Sequence, residues 1–187
     1  LTRATPDGHE TQPPGRYTEA TLVKTMEELG IGRPSTYAAT IQTIGDRGYV
    51  THRGQYLVPT WLAFSVTRLL EENLANLVDY DFTASMEGDL DRIAAGEENG
   101  AEFLSGFFFG PDGSGETGGL RHDVASLGDD IDARAVNSID LGRGVSLRVG
   151  RYGPYLEKAD GARANVPPEV APDELDDQLV DQLFARA

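Results

Sequence analysis

From Thr18 onward the apolar residues Leu22, Val23, Met26 and Leu29 recur at three- and four-residue spacing, which predicts an amphipathic helix. Thr18 suits the cap of its start and Glu19 its positive end. Gly30 and Gly32 end it. Pro34 and Ser35 open a second helix, with Tyr37, Ala38, Ile41 and Ile44 inward and Gly48 closing it. Residues 49–52 and 55–58 read as two strands around an Arg53-Gly54 turn. Thr60 caps a third helix carrying Trp61, Leu62, Phe64, Val66, Leu69, Leu70 and Leu74. Thr83 caps a fourth, with Met86, Leu90 and Ile93 inward. Phe103, Leu104, Phe107 and Phe108 predict a last short helix. Helix, turn, helix, hairpin is a winged-helix-like order.

The pattern then breaks. Residues 110–119 hold five glycines and predict a linker, here taken as 110–128, that leaves the flanking parts weakly coupled. Beyond it, residues 144–149 alternate like a strand. A second strand, 151–156, follows across a Gly153-Pro154 turn. Pro172 and Asp173 open an amphipathic helix carrying Leu175, Leu179, Leu183 and Phe184. The expected fold class is α+β: a mainly helical, winged-helix-like domain over 1–109, then a small α/β domain over 129–187. Residues 1–16 read as an extended lead-in, and a start without methionine suggests a piece of a longer protein.

Composition narrows the function classes. The 187-residue chain has 39% hydrophobic residues, enough for a packed core, and no cysteine, which excludes a disulfide scaffold and cysteine-ligated zinc. Its three histidines are widely separated, which argues against a histidine metal site. Neither a signal segment nor a run of about 20 apolar residues occurs, so a cytoplasmic protein away from membranes is expected. The formal net charge is −15. The charge is uneven: residues 1–60 balance six basic against six acidic groups, and 134–163 hold six basic against three acidic. A polyanion partner would be met on those two islands.

Each island has one segment with distinctive chemistry. Residues 30–37, GIGRPSTY, gather Arg33, Ser35, Thr36 and Tyr37 around a helix start. Free amides and the helix dipole attract an anion there, and Arg33 adds a forked cation suited to phosphate. The alternative is that Ser35 only caps and Tyr37 only packs. Residues 149–156, VGRYGPYL, interleave Arg151, Tyr152 and Tyr155 with glycine. Aromatics beside arginine hold single-stranded bases by stacking and cation–π contact. The alternative is a structural turn with Tyr155 in the core. No histidine has an evident nucleophile partner and no lysine-ending phosphate loop is present, so no catalytic or metal residue is assigned.

Residues 13–50, with DYDFTASMEGDLDRIAAGEE at 79–98, closely resemble bacterial type IA DNA topoisomerases, and RVGRYGPYLE at 148–157 resembles the core of their carboxy-terminal DNA-binding repeats. The resemblance implies an enzyme that relaxes negatively supercoiled DNA. It breaks one strand through a tyrosine phosphodiester, passes the other and reseals, with magnesium and without ATP. The family's acidic magnesium domain and its catalytic-tyrosine motif have no counterpart here. The resemblance therefore implies a carboxy-terminal fragment that is inactive alone and needs no cofactor. Magnesium belongs to the parent. By the same resemblance, Arg33, Ser35, Thr36 and Tyr37 line a groove for single-stranded DNA, and Arg47 matches a further family arginine. Arg151, Tyr152 and Tyr155 match the repeat motif.

The expected partner is single-stranded DNA, the expected state a monomer, and the expected location the nucleoid in the cytoplasm. One rival is a winged-helix regulator that binds double-stranded DNA. Against it, the would-be recognition helix carries only Arg47 as a basic residue. Another rival is a protein-interaction module on the acidic stretch 61–110, which has two basic against ten acidic residues.

Overall fold

The computed structural model describes residues 14–127 and 131–187, together with Gly8 and Thr11. The first region is helical around a hairpin. Helix α1 (Glu19–Glu28) starts at Thr18, whose hydroxyl accepts from the Thr21 amide, with Thr21 bonding back to the Thr18 amide. Helix α2 (Tyr37–Asp46) follows the glycine turn. Strands β1 (Val50–Arg53) and β2 (Tyr56–Pro59) pair antiparallel, with Arg53 opposite Tyr56. The lead-in joins them, because the Leu57 amide donates to the Tyr17 carbonyl. Thr60 caps helix α3 (Trp61–Asn73) as its position predicts.

Several starts differ from the sequence expectation, and α2 begins at Tyr37, with Pro34 and Ser35 in the turn before it. A single turn, α4 (Ala75–Val78), follows Leu74 directly. The next helix, α5 (Tyr80–Ala94), begins at Asp79, whose carboxylate accepts from the Phe82 amide. Thr83 lies inside it, with its hydroxyl donating to the Asp79 carbonyl. A carboxylate is the stronger cap because it accepts with full charge at the positive helix end. Helix α6 (Gly100–Phe109) is capped by Asn99.

The glycine-rich stretch closes on itself. A Cβ on Gly119 would fall 2.3 Å from the Gly110 amide nitrogen, an approach only glycine permits. Helix α7 (Gly119–Leu127) follows, within the stretch expected to be linker, and packs on α6. The boundary expected between 128 and 129 lies outside the described residues.

In the second region α8 (Ala133–Val136) leads into a four-stranded antiparallel meander. Its strands are β3 (Ser138–Asp140), β4 (Val145–Gly150), β5 (Gly153–Lys158) and β6 (Arg163–Asn165), in that order. The β4–β5 turn is Arg151-Tyr152 and not Gly153-Pro154. Gly153 pairs with Gly150 and Pro154 with Val149 inside the ladder. Proline is tolerated there because it sits near the strand start. The last helix, α9 (Asp177–Ala185), is capped by Asp176, and Pro172–Glu174 forms a separate 3-10 turn.

One face of the meander carries Val145, Leu147, Leu156 and Ala164, and packs against Val180 and Leu183 of α9. Trp61 of the first region is buried in the same cluster. Arg68 of α3 donates to the Ser138 carbonyl at 2.6 Å. Arg53 bonds the Glu174 carboxylate and the Glu169 carbonyl, and Arg16 pairs with Asp173. So apolar burial and three arginines join the regions. Among the described residues no helix is long and apolar enough to cross a membrane.

Candidate nucleic-acid interface

At the first island, α2 starts at Thr36 with no side-chain cap. Thr36 turns its hydroxyl back onto the preceding turn, accepting from the Arg33 amide at 2.9 Å and donating to the Arg33 carbonyl at 3.0 Å. Ser35 is exposed and Tyr37 half-buried. The Thr36 and Tyr37 amides also donate to the Arg33 carbonyl, at 2.8 and 3.1 Å, so of the amides at this helix start those of Ala38 and Ala39 face an anion.

Arg33 is held from several sides. Its Nε and Nη2 donate to Asp91 Oδ2 at 3.2 and 2.7 Å, and Glu87 lies 3.8 Å from Nη1. Nη1 also donates to the Gly32 carbonyl at 2.7 Å. The hydrogen bond to Asp91 raises the Arg33 pKa further above its already high value, so the group stays cationic. Asp91 and Glu87 both come from α5, so that helix orients the guanidinium. Any phosphate at this helix start competes with Asp91 for it.

Arg33, Ser35, Thr36 and Tyr37 thus share one turn. Arg47 does not join them: it is exposed at the other end of α2, about 15 Å away at the helical rise.

At the second island, Arg151 and Tyr152 form the tip of the β4–β5 hairpin. Tyr152 is 96% exposed, and the Arg151 guanidinium lies 5.7 Å from its ring centre. Among the described residues Arg151 has no ion pair. Tyr155 is half-buried on the open face of the sheet, with Arg163 5.4 Å from its ring centre. Its ring lies so close to Gly150 that a Cβ there would meet it at 3.0 Å. The two tyrosines therefore differ, one exposed and one packed.

The sequence expectation missed the partners on that open face. Arg134, Arg148 and Arg163 converge on Glu157. Their signal was the period-two alternation of β4 and β5 around Leu147 and Leu156, which puts Arg148, Tyr155 and Glu157 on the opposite face. Strands β3 and β6, three residues each, were too short to show any alternation. Two other basic residues of the island are spent on packing. Arg143 pairs with Asp177 and Asp181 of α9, and Lys158 sits 4.2 Å above the Phe184 ring.

Residues 1–105, more than half of the chain, match the family model described as DNA topoisomerase. The chain belongs to the DNA topoisomerase family. It is 51% identical over 203 residues to DNA topoisomerase 1 of Mycobacterium tuberculosis, which covers 99% of this chain and 22% of that protein. With DNA topoisomerase 1 of Streptomyces coelicolor it shares 51% identity, over 97% of the chain and 21% of the relative. Among solved structures, full-length topoisomerase I from Thermotoga maritima aligns at a TM-score of 0.60 and 35% identity. That alignment covers 86% of this chain and 26% of the other. The chain thus spans about a fifth of the length of the curated relatives. The family match contains the Arg33 turn. The Arg151-Tyr152 hairpin lies beyond it, within the longer match to the topoisomerase relatives.

Proposed function

We propose that this chain is a single-strand-binding part of a type IA DNA topoisomerase. The parent relaxes negatively supercoiled DNA by transient breakage of one strand through a tyrosine and passage of the other. In this reading Arg33, Ser35, Thr36 and Tyr37 hold phosphates at the start of α2, with Arg47 a more distant contact. Arg151 and Tyr152 hold a base at the hairpin tip, with Tyr155 supporting that hairpin from the sheet. The observation that carries the reading is Tyr152, 96% exposed beside an arginine free of acids among the described residues. A base stacked on the ring would cover it, with the arginine beside it placed to meet the strand.

Magnesium would serve the parent elsewhere. Among the described residues no three carboxylate or imidazole side chains converge. This chain's own contribution is binding: it fixes the strand without breaking it, and with no catalytic residue assigned it is expected to leave supercoiled plasmid intact.

The rival reading, a winged-helix regulator on duplex DNA, has less support. The hairpin arginine Arg53 is committed to Glu174 and the Glu169 carbonyl, and α2 offers only Arg47 to a groove. Titration with one oligonucleotide, single-stranded and then annealed, separates the two. The proposal expects the single strand to bind at least tenfold tighter. Preference for the duplex would reject it.

A further inference from the structure

The open face of the meander is ordered in two cross-strand rows. Ser138, Arg148, Tyr155 and Asn165 lie side by side across the four strands, and Asp140, Ser146, Glu157 and Arg163 form the next row. An acid near the middle of a face that would meet a polyanion is unexpected on charge alone. Glu157 is nevertheless buried there.

Its two oxygens take four hydrogen bonds from three arginines. Oε1 accepts from Arg163 Nε at 3.0 Å and Nη2 at 2.7 Å. Oε2 accepts from Arg134 Nη2 at 2.8 Å and Arg148 Nε at 3.1 Å. Arg148 is fixed further by the Ser138 hydroxyl. The hydrogen bonds from Arg163, and then those from Arg148 and the charge of Arg134, hold the Glu157 pKa below its ordinary value against the opposing effect of burial.

One carboxylate balances one guanidinium, so the cluster keeps two positive charges. The outer two arginines are open to solvent, 67% and 61% for the side chains of Arg134 and Arg163. Each guanidinium carries five N–H groups, and most of those on Arg134 and Arg163 are not spent on Glu157. A pinned arginine has already given up its rotamer freedom, so less is lost when it meets a ligand.

The geometry points to Glu157 as a positioning residue that holds Arg134, Arg148 and Arg163 as a fixed array for the phosphodiester backbone of a single DNA strand. The assignment rests on the single-strand-binding reading above. Phosphate is the group favoured because it accepts in the planar, forked geometry that guanidinium donors supply. The array lies on the same hairpin sheet as Tyr152, so one strand could lay its backbone over the arginines and a base on the tip.

The sign of one substitution separates positioning from plain charge. Glu157→Gln removes a negative charge from the face. If the acid only repelled DNA, the variant would bind more tightly. If Glu157 positions the arginines, the variant binds more weakly in spite of its gained charge. The test titrates a labelled 20-nucleotide oligo-dT into the whole chain at stepped salt, with wild type, E157Q and the double variant R134A plus R163A. The expected result is a several-fold loss in E157Q and a larger loss in the double variant. Nuclear magnetic resonance of the wild type guards against a misfolded variant: the Nε–Hε signals of Arg148 and Arg163 should be protected in the free chain and shift on adding the oligonucleotide. E157Q binding as tightly as wild type, or tighter, overturns the assignment, as do arginine signals that the oligonucleotide leaves unmoved. If Y152A loses binding while R134A plus R163A does not, Glu157 has no such role and the single-strand reading survives. A wild-type chain that does not bind oligo-dT defeats both.

Discussion

The two regions place their candidate residues by different physics. Around Arg33 the placing rests on a glycine turn, a hydroxyl turned backward and two ion pairs to one helix, with Asp91 and Glu87 of α5. The buried apolar residues of that region, Met26, Ile41, Leu57 and Val58, form no cluster of their own among the described residues. Around Tyr152 the placing is by register. Leu147 and Leu156, both fully buried, fix one face of the sheet, and every residue on the other face follows from them. A site held by a few polar contacts can yield to a ligand, whereas a site held by a packed sheet stays as built.

Trp61 is where the contrast is broken most severely, because it belongs to the first region by sequence and to the second by packing. Trp61→Ala should cost about 3–5 kcal/mol in the unfolding of the sheet region. Denaturant melts followed by circular dichroism check this. The same variant should let a protease cut within residues 110–119 release two separate pieces. In the parent chain the nicked pieces should elute together, held by Trp61, Arg53 and Arg16.

Tyr152→Ala comes next. It should weaken single-strand binding by about 1–3 kcal/mol, the range of one stacked base, and leave the melt unchanged because the ring buries nothing. Lys158→Ala, which removes a cation packed on Phe184, should show the opposite pattern: a lower melting temperature and little loss of affinity.

Arg33 sharpens the other side of the comparison. Arg33→Ala should lower single-strand affinity about tenfold, equally for all sequences, since phosphate contacts carry no base information. Asp91→Asn should raise it, because the guanidinium is freed. If Arg33→Ala lowers only the melting temperature, the arginine serves the turn alone.

Acid gives the smallest contrast. Arginine partners hold Glu157, Asp173 and Glu174 below their ordinary pKa values. A lowered folded value means the stabilisation is complete above the unfolded value and is lost as pH falls through the folded one. Melting temperature should therefore hold steady down to the ordinary carboxylate range and fall beneath it. Glu157→Gln should flatten part of that fall.

The first region was legible wherever a cap and a period coincided, as at Thr18 and Thr60. It was misread where two caps competed, Asp79 against Thr83, because spacing alone does not rank a carboxylate over a hydroxyl. In the second region the tyrosines and Arg151 were legible as a motif, yet the turn fell two residues earlier than Gly153-Pro154 suggests. Proline can begin a strand as readily as it ends one. The Glu157 cluster spans residues 134–163 and exists only once four strands are in register. Asp91 lies 58 positions from Arg33, so no local pattern joins them.

In the proposed reading one DNA strand meets this chain at two built places, the start of α2 and the β4–β5 tip. Photocrosslinking of a single-stranded oligonucleotide carrying iodouracil, mapped by mass spectrometry on the whole chain, tests it most directly. Adducts are expected at Tyr152 and within residues 33–37, both suppressed by unlabelled single strand and neither by duplex. Adducts confined to Arg47 and to the hairpin around His52 and Arg53, suppressed by duplex, would contradict it.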